Sequence, residues 1–281
     1  MKGILLVVIA GVAFGALPIF ARIAFGDGVD PFTLLALRFL VAGSVMTCIT
    51  FIRGEKLPKG RTFVGLMLMG GVLYVGQSLS YFIAITKATV GLISLLLFLN
   101  PAIVTLLSVI FIKEKIGKWQ WVALILAVTG TAFTIGGDVS GSAEGIALGF
   151  AAGIIYAIYI TIGGFVTRNT SVLSSSAVIM ISAFFSFGAL TLINGVALPH
   201  TWIGWAGITG LSLISTVIAI VCFFRGVQLI GASKSAVLAT TEPVTTISLA
   251  AVILYEPVMP IQMFGGALIL ISVVLLALLR K

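Results

Sequence analysis

The sequence predicts an all-α integral membrane protein of ten transmembrane helices, arranged as two inverted five-helix repeats around a central cavity. Composition, the spacing of apolar runs and self-similarity at one fixed offset lead there. Of the 281 residues, 60% are hydrophobic and 9% charged, with a mean hydropathy of +1.28, against roughly 25% charged residues in a soluble domain. The formal charge of +8 comes from Lys and Arg scattered at the ends of apolar runs. That pattern reads as membrane topology, not as a nucleic-acid-binding face.

Lipid offers the backbone no hydrogen-bond partner, so a crossing needs about 20 apolar residues in a helix. Apolar runs fall near 3–23, 32–52, 63–86, 88–112 and 118–136, then near 145–166, 172–194, 202–227, 232–254 and 260–279. The first run, after Lys2, could imitate a secretory signal, but nine further spans favour a retained signal anchor. Turn residues separate the runs at Gly26-Asp27-Gly28, Asp30-Pro31, Arg53-Gly54-Glu55-Lys56-Leu57-Pro58, Gly136-Gly137-Asp138 and Pro199-His200. Cys48 and Cys222 each stand alone in an apolar run. Two free, buried thiols are expected, and no metal.

Shifting the chain against itself by 142 positions aligns Ala10-Gly11 with Ala152-Gly153, Phe14 with Tyr156, Phe82 with Phe224 and Asn100-Pro101 with Glu242-Pro243. Glu114 then meets Glu256, and Gln120 meets Gln262. A single gapless register is the mark of duplication. Two units are therefore expected, 1–140 and 141–281. Five spans is an odd number, so the second unit enters the membrane upside down relative to the first.

Charge placement tests this independently. With a cytoplasmic N-terminus, the inner segments hold Lys2, Arg53, Lys56, Lys59, Arg61, Lys113, Lys115, Lys118, Arg168, Lys234, Arg280 and Lys281, and the outer loops only Arg22 and Lys87. Both termini are expected in the cytoplasm of a cell-membrane protein. The loops equivalent to 53–61 and 113–118, at 195–203 and 255–260, carry no Lys or Arg. Opposite insertion requires that exchange.

Pro101 and Pro243 lie mid-span, where proline removes a backbone hydrogen bond and bends the helix. Beside them sit Asn100 and Glu242. Glu242 is eight residues beyond Lys234, or roughly 12 Å of helix rise, and a carboxyl at that depth faces a cavity or a partner. It reads either as a substrate-amine or proton site, which would couple transport to protons, or as a structural residue bonding a neighbouring helix at the kink.

Helical spacing puts further polar and aromatic side chains on shared faces. Gly70, Tyr74, Gln77 and Tyr81 align in the third run, Ala152, Tyr156, Tyr159 and Gly163 in the sixth, and Ser235, Ala239, Glu242 and Thr246 in the ninth. Tyr74, Gln77, Tyr81, Asn100, Tyr156, Tyr159, Glu242 and Thr246 are the candidate substrate-binding residues; ordinary interhelical packing is the competing reading. Arg38, roughly 10 Å past Pro31, is deep enough for a buried partner or a gate contact, whereas Arg225 snorkels to the interface. Glu114 and Glu256 precede the fifth and tenth spans, where a carboxylate caps the positive helix end; gating contacts are the alternative.

The sequence resembles the drug/metabolite transporter superfamily, in particular its EamA-type members with two five-helix repeats. The resemblance rests on Leu99-Asn100-Pro101-Ala102 followed by Lys113-Glu114-Lys115, on Thr241-Glu242-Pro243-Val244 followed by Tyr255-Glu256-Pro257, and on Arg38-Phe39 in the second span. It implies a ten-helix basket around a central cavity and export of amino acids, related metabolites or toxic compounds. Arg38 has no counterpart in the seventh span, where the offset gives Met180.

Enzyme chemistry lacks equipment: the one histidine, His200, lies in a predicted loop, with no paired acids, Ser/His or HExxH set. Channel-type rings of charge are also missing. The expected function is alternating-access secondary transport of a small metabolite, an amphipathic compound such as an amino acid, by a monomer or homodimer. A flippase for lipid or lipid-linked sugar, or multidrug efflux, is the alternative. No cofactor is expected, and without a GxxxxGK[ST] loop the energy should come from gradients or be absent.

Overall fold

The computed structural model describes residues 1–84, 87–88, 93, 96–97, 99–113, 115–135, 141–167, 170–253 and 259–278. Those residues are helical apart from short connections and one isolated antiparallel bridge, Ala88 to Gly141. In order come α1 (Lys2–Gly15), α2 (Leu17–Gly26), α3 (Pro31–Ile52), α4 (Gly60–Leu68), α5 (Val75–Ala84), α6 (Asn100–Leu107) and α7 (Lys118–Ile135). Then follow α8 (Ala143–Val166), α9 (Val172–Asn194), α10 (Trp202–Ser212), α11 (Ala219–Ile230), α12 (Ala232–Leu238), α13 (Thr241–Ile253) and α14 (Pro260–Leu278). Three π-helical segments interrupt the ladder, at Met69–Tyr74, Ser108–Ile112 and Leu213–Ile218.

Among the described residues, seven helical runs are long and apolar enough to cross a membrane: Lys2–Gly26, Pro31–Ile52, Gly60–Tyr81, Ala143–Val166, Val172–Asn194, Trp202–Ile230 and Ala232–Ile253. Asn100–Phe111 and Pro260–Leu275 are shorter apolar helices. The predicted fourth span lies partly outside the described residues, as do Glu114 and Glu256, on which the capping expectation fell. Large apolar side chains cover the outside, among them Phe51, Phe111, Phe165, Phe185 and Leu192, which only lipid tolerates at this density. The four tryptophans, Trp119, Trp121, Trp202 and Trp205, are all exposed in the first turns of α7 and α10. That is the placement of an interfacial aromatic belt.

The helices pair antiparallel through small residues. Along α3 and α9, Thr33 bonds Ala197, Phe39 stacks on Phe187 and Gly43 meets Ile181. At the other end of this pair Glu55 accepts from the hydroxyls of Ser171 and Ser174. Gly3 and Gly226 bring α1 onto α11, and Gly130 brings α7 onto Gly265 and Ile269 of α14. Gly3 lies against Leu229 and Ile230, while Gly145 lies against Lys87 and Ala88. Gly11 lies against Ala239, and Gly153 against Leu96 and Leu97.

Side chains close the helix starts and tie the loops. Asp30 Oδ1 accepts from the N–H groups of Phe32 (2.8 Å) and Thr33 (3.1 Å), an N-cap that replaces missing intrahelical partners. Asp27 accepts from Thr201 N at 2.8 Å, and this backbone bond holds the Asp27 carboxyl below its ordinary range. Two expectations need correction. Cys222 is only half-buried and Cys48 is exposed, because the buried stripe of α3 runs through Phe39, Ala42, Met46 and Thr50 and leaves position 48 outside it. The first predicted span is two helices meeting at Ala16, with Pro18 in the opening turn of α2, where a missing N–H costs nothing.

Candidate functional site

The site is built on broken helices. Pro101 has no N–H for the carbonyl of Leu97, and Asn100 Nδ2 donates to that carbonyl at 2.9 Å. The asparagine side chain thus supplies the bond its neighbour lacks, as a lipid-embedded break demands. Between α12 and α13 the chain breaks at Ala239–Thr240, just ahead of Pro243. Thr240 Oγ1 donates to Val237 O (2.7 Å), Thr241 Oγ1 to Leu238 O (3.1 Å) and Glu242 N to Ala239 O (2.9 Å). The carbonyls of Val237, Leu238 and Ala239 are reclaimed in this way. Gly11 and Gly15 of α1 allow close approach: a Cβ at Gly15 would stand 2.7 Å from Glu242 O. Asn100→Ala is expected to cost about 1–2 kcal/mol by stranding the Leu97 carbonyl, read as a lower apparent Tm of the purified protein; Asn100→Asp should not rescue it, because an ionised carboxylate cannot donate.

Both breaks face one cleft, lined by Asn100, Pro101, Tyr156, Ile160, Ala236, Ala239, Thr240 and Glu242. In this conformation it has room for about one water molecule. Glu242 is half-buried there. Among the described residues its carboxyl has no hydrogen-bond donor and no ion-pair partner, and it feels the Arg38 charge without pairing to it.

From the cleft an aromatic chain runs inward. Tyr156 stacks near Tyr159 (6.4 Å between centroids), Tyr159 contacts Tyr74 edge-on (5.6 Å), and Tyr74 contacts Phe39 (5.1 Å). Phe224, Phe223 and Phe14 extend it on the other side. Arg38, 3% exposed, ends the chain: its guanidinium carbon lies 5.0 Å from the Phe39 centroid and 5.9 Å from that of Tyr74. Nε donates to Thr216 Oγ1 at 2.6 Å.

The structure therefore gathers Tyr74, Tyr156, Tyr159, Asn100, Glu242, Pro101 and Arg38. Pro243 is buried at the start of α13. Others stand apart from the cleft lining. Gln77 is half-buried on α5 and accepts weakly from its neighbour Ser78 (3.4 Å), and Tyr81 is half-buried further along that helix. Thr246 donates to Gly15 O (3.0 Å) and Glu242 O (3.1 Å), joining α13 to α1. Sequence reasoning passed over Thr240, Thr241, Ser215 and Thr216. The Thr-Thr pair directly before Glu242-Pro243 was a readable signal, since threonine hydroxyls cap freed carbonyls.

A multi-pass helical membrane protein with discontinuous helices meeting at a buried cleft is the class this geometry defines. The EamA-like transporter family model matches residues 1–136 and again 143–278; the chain belongs to that family. Similar proteins include an uncharacterized transporter of Synechocystis sp., 27% identical over 98% of this chain and 93% of its own length. The uncharacterized inner membrane transporter YicL of Salmonella typhimurium is 26% identical over 99% and 95%. One solved crystal structure superposes with a TM-score of 0.88 at 20% identity, covering 100% of this chain and 99% of the other; it shares the fold.

Proposed function

We propose that this protein is a secondary transporter of small amphipathic metabolites, amino acids or related compounds, which it exports by alternating access. The observation that carries the reading is Glu242: a carboxyl at a helix break inside an apolar span, without a hydrogen-bond partner among the described residues, facing a cleft that Tyr156 lines. An intramembrane carboxyl is costly unless it meets a ligand, proton or partner. Tyrosine rings pack apolar parts of a cargo while their hydroxyls orient its polar parts.

Alternating access fits ten spans in two inverted halves, 1–140 and 141–281. Matched contacts support that architecture. Adding 142 to one partner and subtracting it from the other turns Gly3 on Leu229 and Ile230 into Gly145 on Lys87 and Ala88, and Gly11 on Ala239 into Gly153 on Leu97. A pseudo-two-fold axis in the membrane plane generates such exchanges, and the twofold family match agrees with it. Both termini are then cytoplasmic. Reporter fusions after Arg61 and after Pro199 should give opposite signals; equal signals reject the inverted topology.

Function is tested by a thermal-shift screen of amino acids, nucleosides, sugars and cationic dyes on purified protein, because a ligand of the folded state raises its melting temperature. Uptake of any hit into liposomes then establishes a carrier. Hits confined to lipid-linked compounds would overturn the metabolite reading.

A further inference from the structure

Resting on the transporter reading, we infer that Arg38 is the anion-recognition group of the central cavity and takes a carboxylate or other oxyanion of the cargo. A guanidinium carries five N–H donors. Nε is used well, on Thr216 Oγ1 at 2.6 Å, and Nη2 only weakly, on Ser215 O at 3.5 Å. For the other three N–H groups the described residues offer no further acceptor. Among the described residues no carboxylate pairs with this buried cation. An uncompensated charge inside a membrane protein is expensive, and the fork geometry of arginine suits a planar carboxylate.

The surroundings complete an oxyanion site. Two buried hydroxyls lack partners, Ser215 Oγ and Tyr159 Oη. Ser215 is the residue whose carbonyl already touches the guanidinium, and Tyr159 packs on Tyr74, which the guanidinium overlies. Each hydroxyl can donate to an anion held by Arg38. The position is also mechanically placed, because Arg38 touches Tyr74 and Thr216, which are equivalents under the 142-residue offset and lie in the π-helical segments Met69–Tyr74 and Leu213–Ile218. Such segments recur at functional sites. At the position equivalent to Arg38 the second half has Met180, fully buried. A cationic group, Arg38, is thus separated from an acidic one, Glu242 at the cleft, by the rings of Tyr74, Tyr159 and Tyr156. Parting of these rings would admit the cargo to the guanidinium.

The experiment measures binding of four probes of matched shape to purified protein: 3-phenylpropionate, its methyl ester, phenyl phosphate and phenethylamine. Wild type should hold 3-phenylpropionate at least about tenfold more tightly than the ester. Arg38→Gln should lose that preference, binding acid and ester alike. Arg38→Lys keeps the charge without the fork and should retain only part of it. Should Arg38→Gln not fold, Tyr159→Phe and Ser215→Ala answer the question, each weakening the carboxylate probe about threefold to tenfold with the ester unaffected. Phenyl phosphate outcompeting 3-phenylpropionate would assign the oxyanion as phosphate rather than carboxylate. If phenethylamine binds in a Glu242-dependent way but wild type does not distinguish anion from ester, the anion site is wrong and the transporter reading stands. If none of the four binds and liposomes show no uptake, both fall.

Discussion

Glu242→Gln is expected to lower uptake into liposomes by roughly 10- to 100-fold, the loss of one hydrogen bond to a charged group, and to flatten its dependence on pH. Glutamine keeps the shape and the first-turn position of the side chain, so the break at Ala239–Thr240 and its capping by Thr240 and Thr241 are preserved. What it removes is the ability to carry charge and exchange a proton. A residue that merely bonded a neighbouring helix at the kink would tolerate this change, because an amide both donates and accepts. Thr246→Val makes the companion measurement: its hydroxyl joins α13 to Gly15 of α1, and its loss should lower Tm while leaving the pH profile in place. Should the glutamine variant transport at the wild-type rate with the same pH profile, coupling through this carboxyl is excluded.

The membrane class was legible because apolar length is dictated by the bilayer and does not depend on tertiary detail. Pro101 and Pro243 were legible for a similar reason: a missing N–H is a local fact. The partners of Arg38 were not, since Ser215 and Thr216 lie more than 170 positions away and are brought in only by helix packing. The π-helical segments also escaped, because one extra residue in a turn leaves no compositional trace; Gly70-Gly71 was the sole hint. Asn100 shows the opposite limit. It aligns with Glu242 under the 142-residue offset, yet its amide is spent on the Leu97 carbonyl, whereas the Glu242 carboxyl has no such bond among the described residues.

Gly70→Ala is the substitution expected to damage the fold most, because its cost falls on backbone that cannot move. A Cβ at position 70 would overlap the carbonyl oxygen of Ile179 and stand 2.8 and 2.9 Å from that residue's C and Cα. Ile179 lies within α9, which packs along α3, so relief would require shifting two spans together. Overpacking of this kind costs 1–3 kcal/mol and sometimes more, and an immovable neighbour puts it at roughly 3 kcal/mol or above. Gly71→Ala supplies the control. Its nearest neighbour is Ser186 Oγ at 3.2 Å, a side-chain atom that can rotate away, although it now donates to Gly71 O. Apparent Tm should therefore fall steeply for position 70 and by a few degrees at most for position 71. The consequence reaches the site, since Gly70 lies in the π-helical segment that ends at Tyr74, whose ring packs against Arg38. Equal stability of the two variants would mean that α9 does not press on this turn, and the placement of Arg38 against Tyr74 and Thr216 would lose its support.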